Sequence, residues 1–184
     1  MDGKSLVARA CLLGLAASFS SAAAADQAKP VKKESAARPS PESLVVDKWR
    51  GTWDIKATRR WPEPVTAVDY VETYEWVLDG QYLRSETSRK SDGGKSMSMV
   101  WFDINTKNYR FVIFDSNGIA VELPPPTWSE STQTMEWRGG LLSPVAYTGY
   151  ATFTDPGTIR WKSLLKDWKG TVIVDIEGTS VRRK

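Results

Sequence analysis

The sequence contains no histidine, and its single cysteine, Cys11, falls close to its start. Serine–histidine catalysis, histidine-ligated zinc and histidine-ligated haem are therefore excluded by the residue inventory. A chain trimmed past residue 25 would also lack any disulfide or thiol nucleophile, so core packing must supply its stability. No metal and no cofactor is expected. There is no concentrated basic block either. The net charge of +3 is spread over mixed signs, which argues against a nucleic-acid partner. No apolar run is long enough to span a bilayer as a helix.

What is present begins with an N-terminal leader. Lys4 and Arg9 precede a small, apolar stretch over residues 10–21, and Ala23-Ala24-Ala25 offers a small-residue cleavage site before Asp26. Residues 1–25 read as an export signal, so the chain is expected in the periplasm or outside the cell. Cys11 stands at the start of the apolar run rather than ending it, which argues against a lipoprotein anchor. Residues 26–41 are rich in Lys, Ala, Ser and Pro and read as an unstructured linker. The remainder, 42–184, reads as one domain; at 41% hydrophobic and 26% charged the chain has a globular composition. Pro41 can open a short helix whose Leu44, Val45 and Trp49 share a face.

From Gly51 onward the pattern is that of strands. Gly51, Trp53, Ile55 and Ala57 alternate with Thr52, Asp54, Lys56 and Thr58, the period of a strand with one buried face. Ten such runs follow one another, roughly 51–60, 66–78, 81–89, 95–103, 109–115, 118–123, 132–138, 146–154, 158–166 and 171–182. Asp79-Gly80, Asp92-Gly93-Gly94, Asp115-Ser116-Asn117-Gly118 and Asp155-Pro156-Gly157 supply the turns between them. Pro124-Pro125-Pro126 is a stop that cannot donate to a ladder. Hairpin-length links favour an up-and-down antiparallel barrel of about ten strands over a sandwich. The long last run can pair with the first and remove the free edges.

Gly51-Thr52-Trp53 resembles the G-x-W signature that opens lipocalin-like (calycin) barrels. Leu78-Asp79-Gly80-Gln81-Tyr82-Leu83, Asp103-Ile104-Asn105-Thr106-Lys107-Asn108-Tyr109 and the turn at Phe114-Asp115-Ser116-Asn117-Gly118 resemble, in order, motifs of a secreted bacterial lipocalin-like family of unknown function. The resemblance covers roughly residues 49–118. It implies an all-β barrel with a short N-terminal helix, and carries no activity over. It also implies a structural trio. In such barrels an arginine near the C-terminus often stacks on the G-x-W tryptophan, and counting by twos from Val172, Val174 and Ile176 reaches Arg182, which should lie over Trp53 beside Gly51.

The nine tryptophans and the aromatics at alternating positions point to a lined cavity. Tyr74, Trp76, Met99, Trp101, Phe111 and Trp161 are the expected ligand-binding wall. Arg84, on a run with no apolar face, is the expected polar anchor for a ligand carboxylate, with Glu72 as a possible ion-pair partner. The favoured function is binding of a small hydrophobic or amphipathic molecule, without catalytic residues. Two alternatives stand beside it: an enzyme working through carboxylates such as Glu72, Glu75, Glu86, Asp103 and Asp115 in the same cavity, or a solid-core module that docks on an envelope partner. Ligand identity and oligomeric state are not legible.

Overall fold

A computed structural model describes residues 40–141 and 144–184. The expected leader and nearly all of the expected linker lie outside the described residues. The described chain opens with helix α1 (Pro41–Asp47). Ser40 caps it by accepting a hydrogen bond from the Ser43 amide at 3.1 Å, and Pro41 occupies the first turn, where no amide donor is needed. Helix α1 thus takes in Pro41, the last residue of the expected linker. Val45, Val46 and Trp49 are buried, whereas Leu44 is 53% exposed. The helix ends after two turns, and Val46 takes the inward place expected for Leu44.

Eleven antiparallel strands follow: β1 (Gly51–Trp61), β2 (Thr66–Val77), β3 (Tyr82–Thr87), β4 (Ser96–Asp103), β5 (Asn108–Asp115), β6 (Ala120–Glu122), β7 (Thr127–Ser129), β8 (Thr134–Gly140), β9 (Val145–Asp155), β10 (Thr158–Asp167) and β11 (Val172–Arg182). They form one sheet in the order β6-β5-β4-β3-β2-β1-β11-β10-β9-β8-β7, curled into a half-barrel. The first and last strands pair, with Trp53 opposite Arg182 and Ile55 opposite Ser180.

Two expectations are corrected. There are eleven strands rather than ten, because β7 is a three-residue strand directly after the prolines, too short to show alternation. And the β1–β11 pair does not remove all edges: β6 and β7 remain as the free margins of the sheet. The prolines between them lack amide donors, so no ladder bridges this gap. Packing crosses it instead. On one side the Leu123 amide extends the β5–β6 pairing by donating to the Phe111 carbonyl at 2.9 Å. Pro124 lies so close to Gly139 of β8 that an added Cβ there would stand 2.9 Å from the proline ring. Phe111 of β5 and Trp137 of β8 meet edge to face, with centroids 5.7 Å apart. Both free margins are three residues long, which limits their use as templates for a further strand.

The core gathers on the concave side. Trp53, Ile55, Leu83, Val100, Met135, Phe153 and Ile159 are each 8% exposed or less. Helix α1 closes one end. Trp49 packs edge-on against Phe153 at 4.8 Å, and the Trp76 indole donates to Asp47 Oδ1 at 2.7 Å, tying β2 to the end of the helix. The opposite end, reached by the β3–β4 and β5–β6 hairpins, has no such plug among the described residues.

Candidate functional site

The concave side encloses a cavity of about 270 Å³, slightly below the usual range of about 300–1,000 Å³ for small-molecule sites. Aromatic and aliphatic side chains make up most of its wall, Trp53, Tyr74, Phe111, Trp137 and Trp161 among them. Trp161 owes its place to a glycine: its indole lies across Gly178 of the neighbouring strand, where a Cβ would come within 2.6 Å of the ring, and its Nε1 donates to Ser180 Oγ at 3.1 Å. Tyr147 and Ser163 form a hydrogen-bonded pair at 2.9 Å on the same side.

One carboxylate lies within this wall. Glu72 shares the inward face of β2 with Tyr70, Tyr74 and Trp76, and borders the cavity. Ser85 donates to Glu72 Oε1 at 2.7 Å, and Ser98 lies 2.6 Å from Ser85. Since Ser85 has one hydroxyl hydrogen, Ser98 must donate to it, and the three form a chain running from β4 across β3 to β2. Ser85 and Ser98 are 1% and 4% exposed. Burial pushes the Glu72 carboxyl above its ordinary range; the Ser85 and Tyr74 hydroxyls and, more weakly, the charge of Lys90 pull it back down. The Tyr70 and Tyr74 hydroxyls are pushed up in turn, first by burial and then by the Glu72 charge. Lys90, in the hairpin at the open end, holds its ammonium 5.4 Å from the Tyr70 ring centre.

The residues expected from the sequence divide into three groups. Tyr74, Phe111 and Trp161 line the cavity. Trp76 faces inward, but at the helix-closed end, and is spent on Asp47. Arg84, Met99 and Trp101 are on the outer face, a correction to the expectation that they line the cavity. The register explains it. Leu83, Ser85 and Thr87 turn inward on β3, and Ser98 and Val100 on β4, so their alternates Arg84, Met99 and Trp101 must turn outward. There Arg84 pairs with Glu75 and Glu86 in partial contact with solvent, and Trp101 packs against Tyr82 at 5.4 Å. Glu72 is thus bound by hydroxyls rather than by Arg84. Asp115, the other carboxylate at the cavity, caps its own turn by accepting from the Asn117 amide at 3.1 Å. Among the described residues no cluster of three or more metal-ligating side chains occurs, and no helix is long and apolar enough to cross a membrane.

Gly51, Trp53 and Arg182 meet at the barrel's helix end. Trp53 is 1% exposed, and the Arg182 guanidinium carbon stands 4.2 Å from its ring centre. The same guanidinium donates to the carbonyls of Lys48 at 2.6 Å, Pro156 at 3.2 Å, and Arg50. Gly51 has φ of 116°, and a Cβ there would stand 3.0 Å from an Arg182 nitrogen, so a side chain at this position is opposed twice.

No protein-family model and no curated protein matches the sequence. Solved structures do resemble the fold. Rv2717c from M. tuberculosis is 12% identical over 80% of this chain and 100% of its own, with a TM-score of 0.59. The S-type phycobiliprotein lyase CPES from Guillardia theta is 13% identical over 79% of this chain and 99% of its own, with a TM-score of 0.50. The fold is that of a lipocalin-like barrel. At these identities the likeness concerns the fold alone. Two residues of the lipocalin-like barrel's site differ from the expectation. Trp137 of β8 lines the cavity and leaves its buried indole Nε1 without a hydrogen-bond partner. Glu72 was placed on the right strand but given the wrong partner. Its shared parity with Tyr70, Tyr74 and Trp76 was the available signal.

Proposed function

We propose that this lipocalin-like barrel, once exported, holds a small hydrophobic or amphipathic molecule in its cavity and performs no chemistry on it. The observation that carries this reading is the cavity of about 270 Å³ lined largely by aromatic and aliphatic side chains. A barrel serving only as a solid docking block would have no reason to leave that volume empty, since unfilled apolar space costs stability. An enzyme based on two carboxylates finds little support. Glu72 is the one acid bound into the interior wall, and Asp115 is committed to its turn.

The wall contains tryptophans, so binding reports itself. Titrating a panel of aliphatic and aromatic compounds should quench or shift tryptophan fluorescence and raise the melting temperature. Phe111→Ala and Trp161→Ala should weaken binding about tenfold or more, while Trp101→Ala on the outer face should leave it unchanged. Protein isolated from its host for this purpose should begin near Asp26. If no compound in a broad panel alters fluorescence or melting, or if Trp101→Ala weakens binding as much as Trp161→Ala, the cavity is not the binding site.

A further inference from the structure

We infer that the cavity selects ligands whose polar end is a protonated amine, with Glu72 as the counter-ion. The inference rests on the ligand-binding reading above and specifies its chemistry. The geometry is asymmetric in charge. One carboxylate is set into the wall, aimed by a chain of hydroxyls, Ser98 to Ser85 to Glu72, whose donors can serve only an acceptor. Among the described residues, the lysines at the cavity are Lys90 and Lys162, and neither is an inner-wall group. Lys162 turns to the outer face, where it lies 3.2 Å from Asp175 and 3.7 Å from Glu177. Lys90 sits over the Tyr70 ring in the hairpin at the open end. Arg84, the cation that would have gripped a carboxylate, lies outside the barrel.

A bare carboxylate in such a place is poorly solvated. An incoming ammonium supplies the counter-charge that water supplies elsewhere, and its N–H groups match the acceptor capacity that Ser85 leaves open on Glu72. The surrounding rings act in the same direction. Tyr70 and Tyr74 flank Glu72 on β2, and Trp53 stands opposite it on β1. Aromatic faces attract a desolvated cation and offer nothing comparable to an anion. The apolar remainder of the ligand would then extend toward Phe111 and Trp161. An alkanoic acid gains none of this: its carboxylate would meet Glu72 as a like charge, and its one compensating partner is Lys90 at the mouth.

The test compares three probes that differ only in the head group, dodecylamine, dodecanol and dodecanoate, by tryptophan fluorescence on the unaltered protein and on Glu72→Gln. The amine should bind at least about tenfold more tightly than the other two, and Glu72→Gln should remove that preference. Glutamine keeps the shape and can still accept from Ser85, and a melting curve verifies folding. The ranking on the unaltered protein decides the matter even if the variant fails to fold. A preference for dodecanoate overturns the inference and makes Lys90 the anchor, with the ligand-binding reading intact. Equal binding of all three probes, or an amine preference that survives in a folded Glu72→Gln protein, overturns it as well. No binding by any probe overturns this inference and counts against the ligand-binding reading with it.

Discussion

At the scale of single residues, Glu72 sets the terms of the interior. Its carboxyl holds a proton more tightly in the fold than its ordinary value of 4.5, because burial outweighs the help of Ser85, Tyr74 and Lys90. The sign of the linkage follows. Below about pH 4.5 the proton is bound in both folded and unfolded chains and Glu72 costs nothing. As pH rises above that value the unfolded chain ionises first, and the folded state loses stability relative to it. Glu72→Gln escapes this loss. The variant should therefore melt higher than the parent at about pH 8, and the gap should narrow toward about pH 5. Acids nearer the surface such as Asp54, Asp103 and Glu177, whose pKa values are held down mainly by hydrogen bonds, behave in the opposite sense. They are common to both proteins and cancel in the difference. A gap that is constant with pH, or that widens on acidification, would show that Glu72 is not held above its ordinary range.

At the scale of elements, the informative piece is the segment between β6 and β7. Three prolines prevent hydrogen bonding across the gap, and shape does the work of the missing ladder. Pro124 rests on Gly139, and Phe111 rests against Trp137. Gly139→Ala would force a methyl carbon to within 2.9 Å of a rigid ring. It should destabilise the protein by about 1–3 kcal/mol through overpacking, and loosen the wall at the adjacent Trp137. Chemical denaturation, with tryptophan emission as the readout, checks both. A neutral substitution would mean that the 123–126 segment does not bear on β8. The same element-scale view explains why β7 escaped detection. A three-residue strand after prolines offers no alternation to read, and its pairing with β8 is a consequence of where the prolines deliver the chain.

At the scale of the whole molecule, the two ends of the domain are held together by β1 and β11, and Arg182 is the clasp. It covers Trp53, and it ties together the α1–β1 turn, through Lys48 and Arg50, and the β9–β10 hairpin, through Pro156. Arg182→Ala should cost about 2 kcal/mol, combining a cation–π contact with hydrogen bonds from a charged donor. Arg182→Lys should recover little, because one ammonium cannot span three carbonyls and a ring face. Trp53→Ala, which empties a site only 1% exposed, should cost about 3–5 kcal/mol. Melting and urea curves for the three variants supply the ranking. A neutral Arg182→Ala would mean that backbone pairing alone holds the seam.

Local chemistry made much of this architecture readable from the sequence. The all-β class followed from alternation and turn residues, which act over a few positions. The parity that brings Arg182 to the side of Trp53 followed from counting by twos along β11, since no glycine bulge intervenes there. Tertiary structure alone decided which faces of β3 and β4 turn inward. On β3 both faces carry polar groups, so alternation is silent. On β4 the richer apolar face, Met99 and Trp101, turns outward, and the poorer one, Ser98 and Val100, turns inward. The reason lies in the neighbour across the sheet. Glu72 is half-buried on the inward face of β2 and needs donors without bulk, and Ser85 and Ser98 meet that need while the charges of Arg84 and Glu86 stay in contact with water. A pattern along one strand cannot encode that requirement, because the group that imposes it belongs to another strand.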